Sequence, residues 1–252
     1  MEFKDPFEIE KARNILAKSG DFKGLVRLYS KKFPEIPDLN SPDFWNLKLS
    51  SKNTDENGHM ARDRIDVVYQ EVKGHKGEFL DVGFGNGELE QKLQGTSLKL
   101  QGIDISPYAA KKASGNLNGK FLLGDILHLP FPNNKFDIVV SLEVLEHIPP
   151  FRTFRALKEL WRVLKVEGLA IVSVPLNEGL KTMIERGENP NAHVRVYTPT
   201  LIEAELKISG FDIRKKIFLF AFSSFYSLKK ILQKRILKNR WKPNNIIVFA
   251  EK

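Results

Sequence analysis

The sequence predicts a three-layer α/β/α fold on a largely parallel sheet, preceded by a helical segment. Three observations carry that reading. The apolar run FLDV (79–82) breaks into a glycine turn that opens a helix-forming stretch, GELEQKL. Two later apolar runs end in Asp104 and Asp125, so that Gly83, Asp104 and Asp125 are evenly spaced, 21 residues apart. Each interval fits one strand, a helix and a loop. Strand-like and helix-like patterns then alternate to the last residue, giving seven strands, as an α/β domain requires.

In chain order, residues 1–57 read as a helical cap with loops, and FPEIPDLNSPDFW (33–45) is rich in proline and turn formers. SKNTDENG (51–58) is a polar loop, and residues 58–252 form the main domain. Ile65, Val68, Tyr69 and Val72 share one helical face leading into the first strand. LQGIDIS and FLLGDI supply the second and third strands, and FPNNKFDIVVSLE a turn and a fourth. Phe154, Leu157, Leu160, Trp161 and Leu164 form a helical face before the strand GLAIVSVP. A loop over 176–199, a helix near 200–209, a strand over 212–220, an insertion over 221–244 and the strand NIIVFAEK complete the pattern.

Composition narrows the function classes. The chain has 252 residues, 42% hydrophobic and 28% charged, which is ordinary for a globule with one sizeable core. It has no cysteine, so disulfides, thiolate metal sites and cysteine nucleophiles are excluded. The N-terminus mixes charges without an apolar core, unlike a signal peptide. The longest apolar run, 217–222, is far shorter than a membrane span. A cytoplasmic setting is the expectation. Net charge is +9, and residues 214–242 hold ten basic side chains and no acidic one. The excess therefore belongs to one segment.

Glycines at 83, 85 and 87 let a ligand lie against backbone N–H groups at a helix N-terminus. The dinucleotide-binding pattern fails, because Glu88 stands where its third glycine belongs. The loop Gly-x-Gly-x-Gly with Asp104 and Asp125 resembles class I S-adenosylmethionine-dependent methyltransferases over roughly residues 60–252. The resemblance implies a Rossmann-like seven-stranded sheet, its last two strands an antiparallel hairpin, with the N-terminal segment covering the active site. It implies that Asp81, Gly83 and Gly85 hold the methionine end of S-adenosylmethionine, whose product is S-adenosylhomocysteine. Asp104 would bind both ribose hydroxyls, Ile105 would pack on the adenine, Asp125 would take its amino group, and Ile126 would pair with the ring. Leu142 would also touch the cofactor.

SLEVLEHIPP follows the fourth strand, and one helical turn would aim Glu143, Glu146 and His147 to the same side. This Glu-x-x-Glu-His pattern resembles the ubiquinone-type O-methyltransferases and the small-RNA 2′-O-methyltransferases, in which it holds a divalent metal. His193, in AHVRVYT, occupies the place of the RNA branch's fourth ligand. A metal would lower the pKa of a coordinated hydroxyl. Without one, His147 acts as a base or orients its neighbours, and a structural role is the third reading. His193 and Arg195 could also close a loop over the site, while His59, His75 and His128 read as surface residues. Arg64 lies close to where the ubiquinone-type branch places an arginine on the cofactor carboxylate, with Arg62 a near neighbour; a surface pair with Asp63 or Asp66 is the favoured reading.

On a helix from Phe225, the residues Phe225, Leu228, Ile231, Leu232 and Ile236 share one side, with Arg235 inside that arc. Such a segment can lie on an anionic membrane, contact phosphates, or pack on the core with a solvated basic face. The expected function is O-methylation of a small or lipid-like acceptor, with peripheral contact to an anionic membrane surface. RNA 2′-O-methylation with a divalent metal is the alternative enzyme, and a noncatalytic cofactor-fold protein binding RNA or a partner is the third reading.

Overall fold

A computed structural model describes residues 5–31, 33–51, 58–221 and 241–252. Helices α1 (Pro6–Ser19), α2 (Phe22–Tyr29), α3 (Pro42–Ser50) and α4 (His59–Val72) precede the first strand. Then come β1 (Lys76–Val82), α5 (Glu88–Leu93), β2 (Ser97–Asp104), α6 (Pro107–Asn116), β3 (Lys120–Leu123) and β4 (Phe136–Leu142). The chain ends with α7 (Thr153–Val163), β5 (Leu164–Pro175), α8 (Leu180–Glu185), α9 (Pro199–Ile208), β6 (Asp212–Leu219) and β7 (Asn245–Glu251).

The starts of α3, α6 and α9 share one local code. Ser41, Ser106 and Thr198 each accept a backbone N–H with the side chain, and proline stands at the first helical position. This corrects one sequence expectation, because PDFW begins a helix instead of continuing the loop. Pro42 lacks only an N–H that a first helical turn leaves unbonded.

The seven strands form one sheet in the order β3-β2-β1-β4-β5-β7-β6. β7 runs antiparallel between β5 and β6, so the expected antiparallel pairing of the last two strands is present. The other pairings are parallel. Both faces are buried, which explains the continuous apolar runs. Successive residues alternate between two cores: Phe79, Ile138, Ile171 and Ile247 pack with α4, α5 and α6. Leu80, Val139, Val172 and Val248 pack with α7 and α9. α7 buries Ala156, Leu157, Leu160 and Val163 on one face, and Leu157→Ala would cost about 2–5 kcal/mol there.

α1 and α2 attach to the second core through a buried polar cluster. Arg195 is wholly buried, with its guanidinium on Glu205, Tyr29 and Thr153. The Tyr29 and Tyr197 hydroxyls also donate to Glu205. Arg195 is thus an internal clamp between loop, α2 and α9, and the expectation that it closes over the site is corrected. Its charge is compensated by buried Glu205, so neither can leave without stranding the other.

From β1 the chain moves outward to β2 and β3, then crosses back to β4. The resulting switch point lies at the C-terminal ends of β1 and β4, where open α/β sheets bind ligands. Among the described residues no helix is long and apolar enough to cross a membrane.

Candidate active site

A cavity of about 1060 Å³ opens at that switch point, lined by Asp125 and Ile126 after β3 and by Glu178 and His193 after β5. Most of the residues singled out from sequence line it: Arg64, Asp81, Gly83, Gly85, Asp104, Ile105, Asp125, Ile126, Leu142, Glu143, His147 and His193.

The glycine loop is held by β2. Gly83 N–H donates to the Ile103 carbonyl (2.8 Å), and Gly85 N–H to Asp104 Oδ2 (2.9 Å). Ser106 N–H binds the other Asp104 oxygen at 2.8 Å, which fixes the carboxylate plane. Gly83 has φ +82°, and a Cβ there would meet Val144 at 2.4 Å. Gly85 has φ +55°, and its Cβ would project into open space. The first glycine is needed for packing, whereas the second keeps the cavity clear. Asp125 accepts Leu127 N–H at 2.9 Å and is exposed at the cavity rim.

Beneath the loop, Asp81 and Glu90 are buried side by side, placed to share a hydrogen bond once one of them carries a proton. Burial, with the nearby Glu90 and Asp104 carboxylates, raises the Asp81 pKa well above its ordinary value. Burial pushes Glu90 up to about 7. Two neighbouring carboxyls in a dry site cannot both ionise cheaply, so they retain a proton. Sequence offered no signal for Glu90, since an acidic residue in a first helical turn is usually a solvated dipole partner.

The Glu-x-x-Glu-His pattern is not the helical turn expected. Glu143 leaves β4 with φ +56°, a short 3-10 turn covers Leu145–His147, and Pro149 and Pro150 follow. Proline disfavours helical backbone just before it, so no α-turn forms. The side chains therefore divide. Glu143 Oε1 accepts from Ser173 Oγ and Asn245 Nδ2, each at 2.7 Å, and Oε2 lies 3.3 Å from Arg64. Arg64 is thus turned into the cavity wall, correcting the surface pair with Asp63 or Asp66; Asp66 pairs with Lys92 instead.

Glu146, His147 and His193 do converge, with one ligand atom from each within 4.8 Å of the others. His147 Nδ1 lies 3.4 Å from the Ala192 carbonyl, while Nε2 faces Glu146 Oε1 across 3.9 Å. That gap is too long for a hydrogen bond and suits a bridging atom. His193 Nδ1 is 2.7 Å from Glu178 Oε2, leaving Nε2 for another partner. Burial, reinforced by His193, lowers the His147 pKa to about 3, so its ring is neutral at physiological pH. Burial, reinforced by Glu143, raises that of Glu146. His59, His75 and His128 are exposed, as expected.

Sequence reasoning missed what α3 contributes. Trp45 stands against His147, and its Nε1–H donates to Asn40 Oδ1 at 3.1 Å. Asn40 Nδ2 in turn donates to the carbonyls of His147 (3.1 Å) and Ala192 (2.9 Å). Lys48 Nζ reaches Pro190 O and Asn191 Oδ1. The helix-start signal Ser41-Pro42 was the available clue that Phe44 and Trp45 share a helix.

A family profile for the methyltransferase domain matches residues 80–172, from the end of β1 into β5. YrhH of Bacillus subtilis (strain 168), which carries a methyltransferase name, is 30% identical over 149 residues, or 55% of this chain and 77% of YrhH. An uncharacterised Methanocaldococcus jannaschii protein, MJ1252, is 28% identical over 246 residues, covering 86% of this chain and 93% of its own. The 2-methyl-6-phytyl-1,4-hydroquinone methyltransferase of a Synechocystis species is 36% identical over 112 residues, 39% of this chain and 35% of that enzyme. Among solved structures, the N-methyltransferase NodS of Bradyrhizobium japonicum WM9 in complex with S-adenosylhomocysteine shares the fold. Its TM-score is 0.62 at 14% identity, over 84% of this chain and 99% of NodS. The chain belongs to the class I S-adenosylmethionine-dependent methyltransferases, and it is an enzyme of that family.

Proposed function

We propose that this methyltransferase acts on a hydroxyl of a small, largely apolar or lipid-like acceptor. The observation that carries the reading is the form of the cavity. Ligand sites commonly measure about 300–1,000 Å³, so about 1060 Å³ leaves room for an acceptor beside the cofactor. Beyond the glycine loop its walls are Phe44, Trp45, Leu49, Met60 and Ile148, closing on Glu146, His147 and His193.

The residues present suit S-adenosylmethionine. Open space over Gly85, the Asp81 carboxyl on the cavity wall and the fixed Asp104 carboxylate would take the amino-acid and ribose groups of the cofactor. Ile105 and Ile126 would enclose the adenine beside Asp125, and Leu142 would line the middle of the cofactor. When bound, the cofactor supplies an electrophilic methyl group, so the protein's task is chiefly to hold the acceptor oxygen in line. A neutral His147 on the cavity wall, its Nδ1 beside the Ala192 carbonyl, would offer Nε2 as a hydrogen-bond acceptor for the acceptor's hydroxyl. Its lowered pKa favours orientation over full proton removal.

A second reading, methylation of an RNA 2′-hydroxyl with a divalent ion, is favoured by the convergence of Glu146, His147 and His193. One carboxylate and two imidazoles make a plausible donor set. Glu143, engaged by Arg64, Ser173 and Asn245, would not complete it.

The domain division at residues 57 and 58 and a cytoplasmic, membrane-peripheral location belong to the same proposal. Of the basic segment, residues 222–240, including the expected amphipathic helix from Phe225, lie outside the described residues. Arg214, Lys215 and Lys216 on β6 pair with Glu251, Glu71 and Glu203, so their charges are largely answered within the fold. Transfer of labelled methyl groups to lipid, RNA and small-molecule fractions of a cell extract tests the reading. Label confined to RNA would overturn it.

A further inference from the structure

We infer that Glu143 is a positioning residue for the cofactor's carboxylate, acting through Arg64 and not as a member of the Glu146–His147–His193 group. The inference rests on the proposed cofactor site and deepens it. The sheet order β3-β2-β1-β4 sets the polarity of that site. Asp125 follows β3 and Asp104 ends β2, so a nucleoside held there extends across the glycine loop toward β4, where Glu143 stands. The amino-acid end of the cofactor thus falls at Glu143 and Arg64.

The only anionic group of S-adenosylmethionine is its carboxylate, and Arg64 suits it. Arg64 lines the cavity, and its buried Nε has no hydrogen-bond partner. A guanidinium on the wall of a ligand cavity is a natural carboxylate partner, because it presents several N–H donors in one plane. Lys48, another cation of the lining, is engaged by Pro190 and Asn191. A planar guanidinium binds a carboxylate well only when its plane is fixed.

Glu143 supplies that fixing. Ser173 on β5 and Asn245 on β7 both hold Oε1 at 2.7 Å, and Oε2 is left for Arg64 at 3.3 Å. The Glu143 N–H also reaches Ser173 Oγ at 3.2 Å. Positive φ at a non-glycine residue persists only where surroundings enforce it. Here it returns the side chain to the sheet and away from His147. Two strands, one carboxylate and one arginine form a bracket on the cavity wall.

The test compares two ligands on the whole protein by calorimetry. S-adenosylhomocysteine carries the carboxylate, and 5′-methylthioadenosine lacks the amino-acid end that bears it. Glu143→Gln keeps the size and one acceptor oxygen but removes the charge that orients Arg64. It should weaken S-adenosylhomocysteine binding roughly 10-fold and change 5′-methylthioadenosine binding less than about 2-fold, for a charge-assisted bond misaligned but not deleted. Arg64→Met should show the same selectivity, and the double variant should lose little more than Arg64→Met alone. Equal losses for both ligands, additive losses, or unchanged or tighter S-adenosylhomocysteine binding in Glu143→Gln would overturn the inference. Failure of the unmutated protein to bind S-adenosylhomocysteine would instead overturn the cofactor site itself.

Discussion

Trp45 meets His147 edge-on, with ring centroids 4.7 Å apart and planes at 74°. A residue from before the main sheet therefore fixes the histidine at the end of β4. The contact is reinforced because Asn40 binds both the Trp45 indole and the His147 carbonyl.

Trp45→Ala should lower kcat and raise KM for the acceptor while leaving S-adenosylhomocysteine affinity within about 2-fold. A lost edge-to-face pair is worth roughly 0.5–1.5 kcal/mol, or about 2- to 10-fold in acceptor kinetics. Steady-state kinetics beside calorimetry separates the two effects. A large fall in cofactor affinity would place Trp45 in the cofactor site.

His147 should reveal its role through pH. With its pKa lowered to about 3, it stays neutral across pH 6–8 and adds no inflection to the rate there. His147→Ala should lower kcat without changing cofactor binding, by less than the ~10²–10⁴ of a full general base. An inflection near pH 6.5 that disappears in His147→Ala would contradict the orienting role.

Divalent ions give an independent result. If Glu146, His147 and His193 act on the acceptor without a metal, chelation should leave turnover intact. Abolished turnover, restored by Mg²⁺ or Mn²⁺, would support the RNA-type reading instead.

The Asp81–Glu90 pair should link cofactor binding to pH if the cofactor sits as proposed. Both carboxyls have raised pKa values in the folded protein, so the folded state holds more protons than the unfolded one above the ordinary carboxylate range. Stability of the free protein should therefore fall as pH rises from about 4.5 through about 7 for Glu90. A cationic ligand group beside the pair favours the ionised form, so binding should release protons and tighten as pH rises. Calorimetry in buffers of different ionisation enthalpy measures this release, and no buffer dependence near pH 6.5 would contradict it.

Much of the fold was legible because period and spacing are local. Phe79 and Leu80 face opposite cores, which a doubly covered strand requires. The even spacing of Gly83, Asp104 and Asp125 located the cavity. The end of the cavity at Glu143 and His147 was read less well, because its geometry depends on distant partners. Glu143 turns away from His147 under the pull of Ser173 and Asn245, 30 and 102 residues on. Arg195 is a clamp because Tyr29 and Glu205 meet it from two helices. Neither partner set leaves a mark in local sequence.

The most direct test of the account is calorimetric titration of the intact protein with S-adenosylhomocysteine, alongside Asp104→Ala and Gly85→Val. One site per chain is expected. Asp104→Ala should weaken binding roughly 10- to 150-fold, since a charged acceptor is lost. Gly85→Val should lose binding as its side chain fills the open space above the loop. No heat of binding to the folded, unmutated protein would contradict the central claim.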